Sequence, residues 1–265
     1  MHLMILMAWG WGVMALLMTV LWLVQRRTGN AAIVDVGWPL GVPILANLYF
    51  FAHDAWHLTA LLTVGAAELW GIRLAGYLYL TRIHGGRVEE GRYRTLRDEW
   101  GPSFQIKLFG FFQLQAFLDV LFALPFLLIV QAEPSPPDLL TWIALALFAL
   151  AFTGEAVADW QLHRFKARPE NSGAVCDVGL WSLSRHPNYF FELTIWVAFA
   201  LMALPHAFGW LALLCPLLMA FFLFRVTGIP ATEAQALRSK GEAYRRYMNT
   251  VSPFVPWFPR RTREG

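Results

Sequence analysis

The residues best suited to chemistry in this sequence are ionisable side chains inside long apolar stretches. A charge at the centre of a bilayer costs about 3 kcal/mol on insertion scales, so such residues are functional candidates. Most of them lie near one end of their stretch, which predicts a polar cavity open at that side. Ion pairs between helices are the alternative for any single residue. The set comprises Asp35, Glu68, Arg73, Asp119, Glu155, Asp159 and Glu192.

Two of these residues belong to a helical stripe. Glu155, Asp159 and His163 are spaced by four, which places them on one helix face. Asn188 and Glu192 form a second such pair, and donor-rich segments at 165–171 and 184–189 accompany the two groups. Arg, Lys and amide groups in this arrangement favour a ligand with several phosphates. Anionic lipid head groups, worth about 1 kcal/mol per basic residue, explain the cations but not the interleaved carboxylates and amides.

Other ligand classes fit the sequence less well. The seven histidines are scattered, whereas membrane di-iron sites need many at short spacings, so we expect no metal. His53 and His57 are four apart but distant from the other polar groups. The net charge of +3 resides in connections between apolar spans, so we expect no nucleic-acid partner.

The elements that must position these residues are membrane helices. The chain is 57% hydrophobic and 15% charged, against about 25% charged in soluble domains. Because a span needs about 20 apolar residues, the sequence predicts an all-α integral membrane protein with seven spans, near 3–24, 32–52, 57–80, 108–130, 139–159, 189–205 and 208–225.

The cations predict the orientation of these spans. Every Lys and Arg except Arg73 falls in the 25–31, 81–107 and 160–188 connections or in the tail from Arg225 onward. The positive-inside rule then places the N-terminus outside and the C-terminus in the cytoplasm. We expect one membrane domain, 1–265, whose cytoplasmic loops 81–107 and 160–188 and tail 226–265 form a ligand site. Membrane lipids surround it, a bacterial inner membrane is the expected location, and a monomer is compatible with the sequence.

Several motifs resemble the steroid 5α-reductase family, in its bacterial branch of the DUF1295 type. The resemblance is strong in the C-terminal half and weaker before residue 150. The matching residues are Asp35 within Val34–Trp38, Ala158–Gln161, Phe165 and Lys166 with Pro169 and Asn171, Gly179–Trp181, Ser184–Phe190, Glu192, Arg225–Pro230, Glu233, Gly241–Tyr244, Tyr247 and Pro253–Trp257.

This resemblance implies seven helices and NADPH bound from the cytoplasm. The positions that look like the family's NADPH contacts are Asp159, Lys166, Asn188 and Glu192. Further contacts expected in the same motifs are His163, Arg168, Asn171, Arg185, His186, Tyr189, Arg225, Glu233 and Tyr247. In the third span and the loop after it, Arg73, Tyr77, Arg82 and Glu89 fall on similar patterns, with Glu89–Tyr93 closing over the cofactor. The family's third-span active-site tyrosine has no clear counterpart, and Trp70 is nearest, which leaves the substrate open.

The implied reaction is reduction of a carbon–carbon double bond conjugated to a ketone in a hydrophobic substrate, such as a 3-oxo-Δ4-steroid. Charge developing on the ketone oxygen needs a preorganised donor. Asp35 is the first candidate for acid or orienting group, since burial favours a protonated carboxyl, and Tyr77 or Tyr93 could share the role.

Two alternatives remain. The Arg-His-Pro-X-Tyr element and the tail motif with Glu242 and Tyr244 also resemble isoprenylcysteine carboxyl methyltransferases, which bind S-adenosylmethionine. A lipid-binding or transport protein without chemistry is the third reading. Asp35 and the Phe-Lys-X-X-Pro-X-Asn run favour the reductase.

Overall fold

The protein is helical throughout the part that a computed structural model describes, which is residues 2–86, 88–89 and 91–259. Within those ranges there is no strand, and the one β-bridge is an isolated parallel pair, Ser184 with Ser252. The predicted all-α class is therefore confirmed. Arg87, Glu90 and the tail cations Arg260, Arg261 and Arg263 lie outside the described residues. The α-helices are α1 His2–Thr28, α2 Ile33–Ala52, α3 Leu58–Leu78, α4 Gly91–Trp100, α5 Phe104–Phe122, α6 Leu124–Val130, α7 Leu139–Lys166, α8 Pro187–Ala203, α9 Leu214–Phe221 and α10 Ile229–Thr250.

Six continuous helical segments in the described ranges are long and apolar enough to cross a membrane. A seventh apolar helix, α8, has 17 residues. At 1.5 Å per residue it covers roughly 25 Å, slightly less than a hydrocarbon core of about 30 Å. Multi-pass membrane character is thus shown, while the seventh crossing and the orientation stay predictions. The segments are Leu3–Thr28, Ile33–Ala52, Leu58–Ile83, Gly91–Val130, Leu139–Lys166 and Gly209–Thr250.

The chain divides into two compact units. Unit 1 comprises Met1–Asp138 and Ala203–Ala212, and unit 2 comprises Leu139–Met202 and Leu213–Gly265. Helices α1 to α6 belong to unit 1, and α7, α9, α10 and nearly all of α8 belong to unit 2. Each unit is described separately below.

Unit 1 is held together by close packing of α2 against α3. Pro43 lacks an N–H, so the carbonyl of Pro39 loses its usual partner one turn later. Gly71 on α3 faces that carbonyl, and a Cβ at Gly71 would lie 2.4 Å from the Pro39 oxygen. Beside this contact, the Asn47 amide donates to Glu68 at 2.9 Å. A glycine and an amide–carboxyl pair therefore set the α2–α3 distance.

Unit 2 begins with a similar contact between α7 and α8. A Cβ at Gly154 would lie 2.5 Å from the ring of Phe191, so the missing side chain lets the two helices approach. One turn and a half earlier on α7, the Phe148 ring packs on Phe199 with centroids 5.3 Å apart. This packing fixes the register between α7 and α8. It therefore also fixes the relative positions of the polar residues near the C-terminus of α7 and the N-terminus of α8.

Helix α10 is two helical pieces joined at a kink. Gly241 has φ 52° and ψ −124°, a left-handed backbone that glycine adopts most readily. The piece after the kink buries Tyr244 and Tyr247. The chain then runs back to pair with the segment before α8, where the Arg185 N–H donates to Ser252 O at 2.8 Å and the Trp257 N–H donates to Leu183 O at 2.9 Å.

Candidate functional site

The polar end of unit 1 is built around Asp35, in the first turn of α2. Arg82 and Arg92 both donate to its carboxylate, and the Tyr93 hydroxyl donates to Oδ1 at 2.6 Å. Arg92 also donates to the Tyr93 hydroxyl at 2.8 Å, and its guanidinium lies 4.6 Å from the centre of that ring. We call these four residues the Asp35 cluster. Asp35 accepts three hydrogen bonds, so of its two expected roles the arrangement favours orientation of its neighbours over donation of a proton.

Glu89 forms a second contact at the same end of α2. Its carboxylate accepts from the Ala31 N–H at 2.8 Å and from Arg97 at 3.0 Å. Arg97 donates onward to Gly29 O at 3.1 Å. Carboxylates at a helix N-terminus satisfy free N–H groups and complement the helix dipole. Glu89 therefore fastens the segment before α4 to the start of α2.

The structure brings some of the predicted unit 1 residues together. Asp35, Arg82 and Tyr93 meet in the Asp35 cluster. Glu89, in the segment before α4, contacts the turn just before α2, as described above. Arg73 and Tyr77 lie half-buried one turn apart on α3. Tyr93 is fully buried, which makes it the most enclosed hydroxyl of this end.

Unit 2 brings together the carboxylate and amide groups predicted from α7 and α8. The Asn188 amide donates to Asp159 Oδ1 at 3.3 Å, across the two helices. Asp159 is 4% exposed, and Glu155, one turn before it, is also buried. Glu192 accepts from the Trp196 indole at 2.8 Å within α8. Asp159 of the predicted stripe on α7 and Asn188 of the predicted pair on α8 thus meet inside unit 2, whereas His163, the third residue of the stripe, is exposed.

Arg185 and His186 lie at the same end of unit 2 but contact the C-terminal segment. Arg185 donates to Glu233 at 2.7 Å and to the carbonyls of Met248 and Val251 at 2.8 and 3.1 Å. His186 Nε2 lies 3.2 Å from the same Glu233 oxygen. We call Arg185, His186 and Glu233 the tail clamp. Because Arg185 is buried, its donors serve to hold α10 and the following strand-like segment.

Two tyrosines support the tail clamp. The Tyr189 ring stacks on His186, with centroids 5.4 Å apart and planes 4° apart, and its hydroxyl lies 3.2 Å from Thr232 Oγ1. The Tyr247 hydroxyl donates to the carbonyl of Trp181. Both residues were predicted as ligand contacts, and the structure places them at the junction of α8 with α10.

A cleft of about 270 Å³ opens beside the C-terminus of α7. We call it the lysine cleft, because Lys166 and Lys240 both line it. Asn171, also on its wall, donates to Phe165 O at 2.9 Å and so holds the turn after α7. The remaining lining residues are Leu162, Phe165, Ser172, Gly173, Ala174 and Cys176. Three further predicted cofactor residues, His163, Arg168 and Arg225, are exposed and do not line it.

Three cations of these sites were not predicted as site residues. Arg92 and Arg97 were counted with the loop charges, although Arg92 lies within the Glu89–Tyr93 motif that was expected to close over the cofactor. Lys240 precedes the Gly241–Tyr244 motif but gave no signal of its own, since its place in the lysine cleft depends on how α10 folds back.

The remaining intramembrane carboxylates behave differently from one another. Glu68 accepts a hydrogen bond from the Asn47 amide, which joins α2 and α3 without the ion pair that the alternative predicts. Asp119 on α5 is fully buried, and neither of its carboxyl oxygens has a hydrogen-bond partner among the described residues. A Cβ at Gly41 would lie 2.5 Å from Asp119 Oδ2, so glycine at that position makes room for the carboxyl.

Comparison with known proteins places the chain in a family. The model of the family described as "Protein of unknown function (DUF1295)" matches residues 21–251. The chain is 26% identical over 270 residues to "Uncharacterized protein C594.04c" of Schizosaccharomyces pombe, covering 89% of this chain and 76% of that protein. No solved structure matches. The family match covers both the Asp35 cluster and the lysine cleft, and the chain therefore belongs to the DUF1295 family.

Proposed function

We propose that this protein is a membrane-embedded, NADPH-dependent reductase that acts on the carbon–carbon double bond of an α,β-unsaturated ketone in a hydrophobic substrate, with 3-oxo-Δ4-steroids as the first class to test. The observation that carries the proposal is the Asp159–Asn188 contact at 3.3 Å between α7 and α8. These two residues fall on the positions where the resemblance to 5α-reductases implies cofactor contacts. Asp159 is buried and Asn188 is half-buried, and an ionisable residue inside an apolar helix is a functional candidate by default, which favours a binding role.

The residues of unit 2 fit a dinucleotide phosphate. The lysine cleft has two ammonium groups and a serine hydroxyl on its walls, and no carboxylate among its lining residues. Lys166 and Asn171 would hold phosphate groups there, while Asp159 and Asn188 offer an acceptor and a donor for the ribose and amide parts of the cofactor. The tail clamp keeps α10, and therefore Lys240, in place beside α7.

Bound NADPH would supply the hydride, and the residues of the chain would bind, orient and stabilise charge. Within unit 1, Tyr93 donates its one hydroxyl proton to Asp35 at 2.6 Å, so we assign stabilisation of the developing negative charge on the ketone oxygen to the other guanidinium N–H donors of Arg82 and Arg92. Asp35 holds both guanidinium groups in place. A donor fixed by several partners before the reaction requires little reorganisation, which is the property that charge stabilisation needs.

The test uses the purified full-length protein in detergent or nanodiscs. We expect NADPH to bind, and its oxidation to be accelerated by a 3-oxo-Δ4-steroid, followed at 340 nm with the reduced product identified by mass spectrometry. NADPH binding without steroid turnover would remove the steroid assignment but keep the cofactor class. Binding of S-adenosylmethionine without binding of NADPH would replace the reductase by a methyltransferase.

A variant and its matched control test the role of the Asp159–Asn188 contact. Asn188→Ala removes the amide that faces Asp159, and we expect NADPH affinity to fall about tenfold, the effect of one hydrogen bond to a charged group. Gln235→Ala removes an exposed amide of unit 2 that bonds Arg238, and we expect no change in affinity. Equal affinities for the two variants would contradict a cofactor role for Asn188.

A further inference from the structure

A second cleft of unit 2, of about 340 Å³, adjoins the C-terminal segment. Arg185 and residues within 248–258 form its walls, and we call it the tail cleft. It shares no lining residue with the lysine cleft. Small-molecule pockets usually measure about 300–1,000 Å³, so the tail cleft has room for a compact ligand or for one end of a larger one.

Arg185 brings hydrogen-bond donors to the tail cleft that the tail clamp does not use. A guanidinium has five N–H donors. Nε donates to Glu233, and Nη1 donates to the carbonyls of Met248 and Val251. Among the described residues, the two N–H groups of Nη2 have no acceptor. Arg185 is 9% exposed, and a buried donor without an acceptor is unfavourable. An oxygen atom of a ligand in the cleft would satisfy this donor.

The tail cleft lies at the polar end of the apolar helices of unit 2. Phe254 packs edge-on against Phe190 in the first turn of α8, with centroids 5.7 Å apart. It also contacts Phe224, with centroids 4.7 Å apart. Phe224 directly precedes Arg225, the first charged residue of the apolar segment Gly209–Thr250. Because a cation that ends an apolar run marks the edge of the hydrocarbon core, the tail cleft lies at the level of the lipid head groups.

Large apolar side chains on the walls of the tail cleft are exposed. Val255, Trp257 and Phe258 are 53%, 70% and 79% exposed, although a bond from the Trp257 N–H to Leu183 O at 2.9 Å holds the backbone in place. Trp and other aromatic side chains are typical of the membrane–water interface. Three arginines follow within 260–263 of the sequence, and basic residues beside a membrane segment favour lipid phosphate. The cleft therefore combines apolar contact area with attraction for phosphate.

We propose that the tail cleft binds the head group of a phospholipid, whose phosphate accepts from Arg185 Nη2 while Trp257 and Phe258 contact the glycerol and the upper acyl chains. Arginine suits this role because its guanidinium is always charged and donates directionally to phosphate oxygens. The bound lipid joins the C-terminal segment to the bilayer and so reinforces the tail clamp. This site requires neither NADPH nor the reductase reaction.

The experiment uses native mass spectrometry of the full-length protein, delipidated in detergent and titrated with phosphatidylglycerol or with the matching diacylglycerol, which lacks the phosphate. A lysine ammonium has three N–H donors, the number that Glu233 and the two tail carbonyls already use. We therefore expect Arg185→Lys to bind phosphatidylglycerol about tenfold more weakly than the wild type, with diacylglycerol binding unchanged. Arg164→Lys, at an exposed arginine near the end of α7, is the matched control and should change neither affinity.

A second pair of variants tests the apolar contact without touching the tail clamp. The double variant Trp257→Ala, Phe258→Ala should bind both lipids about tenfold more weakly, because each change removes apolar contact area. Trp142→Ala, which removes an exposed tryptophan in the first turn of α7, should leave both affinities unchanged. Thermal melts without lipid verify that each variant is folded. If Arg185→Lys does not fold, the double variant decides the proposal by itself.

The outcomes separate this proposal from the proposed function. Equal phosphatidylglycerol affinities in the wild type and in the cleft variants overturn the lipid site, even where NADPH binds. Weaker NADPH binding in Arg185→Lys, with lipid binding unchanged, assigns the cleft to the cofactor and also overturns the lipid site. Weaker phosphatidylglycerol binding in the cleft variants of a protein that does not bind NADPH supports the lipid site and overturns the reductase alone.

Discussion

The Asp35 cluster of unit 1 and the lysine cleft of unit 2 handle positive charge in opposite ways. In the Asp35 cluster two guanidinium groups contact one carboxylate, and a buried tyrosine completes the set. In the lysine cleft two ammonium groups share a wall with no carboxylate on it. Cations that contact a carboxylate stabilise the fold and fix geometry, whereas Lys240, which has no carboxylate partner among the described residues, keeps its capacity to bind an anion. The partners of the cations, and not their number, distinguish the two sites.

The largest effect should come from Arg185→Ala, because the tail clamp is a matched site within unit 2. The change removes the guanidinium from Glu233, which keeps its contact with His186, and removes the Arg185 donor from the carbonyls of Met248 and Val251. Removal of one partner from a buried pair costs about 3–5 kcal/mol, so we expect a large fall in the thermal midpoint of the full-length protein. In Arg245→Ala, which breaks an exposed pair with Glu242, we expect a change below about 1 kcal/mol. Similar midpoints for the two variants would mean that Arg185 does not hold the tail.

Asp35→Asn should have the next largest effect. An amide of the same size cannot neutralise the charges of Arg82 and Arg92. Because these side chains are 29% and 42% exposed, water screens part of the lost electrostatic stabilisation. We expect a destabilisation of about 1–3 kcal/mol and faster proteolysis between α3 and α4. Asp35→Glu is the control, since it keeps the charge. If Asn and Glu gave equal proteolysis rates, matched charge would not be what holds this end of α2.

His57 and His206, two histidines of unit 1, predict that the thermal midpoint depends on pH, with an effect smaller than the two above. Burial lowers the pKa of His57 and of His206, and Asp138 opposes the shift at His206. His57 Nδ1 accepts the Ala60 N–H at the start of α3, which a proton on Nδ1 would prevent. A group with a lowered pKa in the folded state stabilises the fold above its unfolded pKa, about 6.5, and this stabilisation is lost as the pH falls. We therefore expect the thermal midpoint to drop between pH 7 and pH 5.

The matched control for this pH dependence is His206→Gln. The variant keeps a polar side chain without a titrating group, so its midpoint should change less with pH than that of the wild type. An unchanged pH profile in this variant would assign the effect to other groups.

The smallest effect, and the opposite sign, is expected for Lys240→Gln without ligand. The change removes a half-buried charge that has no anionic partner among the described residues, so stability should stay within about 1 kcal/mol of the wild type or rise slightly. Thermal melts in phosphate-free buffer measure this directly. A loss comparable to that of Asp35→Asn would show that Lys240 is a matched structural cation and would remove the contrast between the two sites.

Part of each site could be predicted from the sequence. The stripe of Glu155 and Asp159 follows from helical spacing, and the structure places its partner Asn188 across from it, as the two donor-rich segments suggested. Arg185 shows the limit of such reasoning. Its place in a cationic motif predicts a ligand contact, but the structure directs its guanidinium to Glu233 and the tail carbonyls, 48 to 66 residues away.

The sequence by itself determined the helical membrane class, the apolar segments and the concentration of cations in a few connections, because these depend on local composition and on a period of 3.6 residues. Tertiary structure decided which cations contact a carboxylate. Asp35 meets Arg82 and Arg92 across 47 and 57 residues, and Lys240 reaches the end of α7 because α10 folds back along unit 2. Contacts over such separations depend on how helices pack and where the chain reverses, and local periodicity carries no information about either.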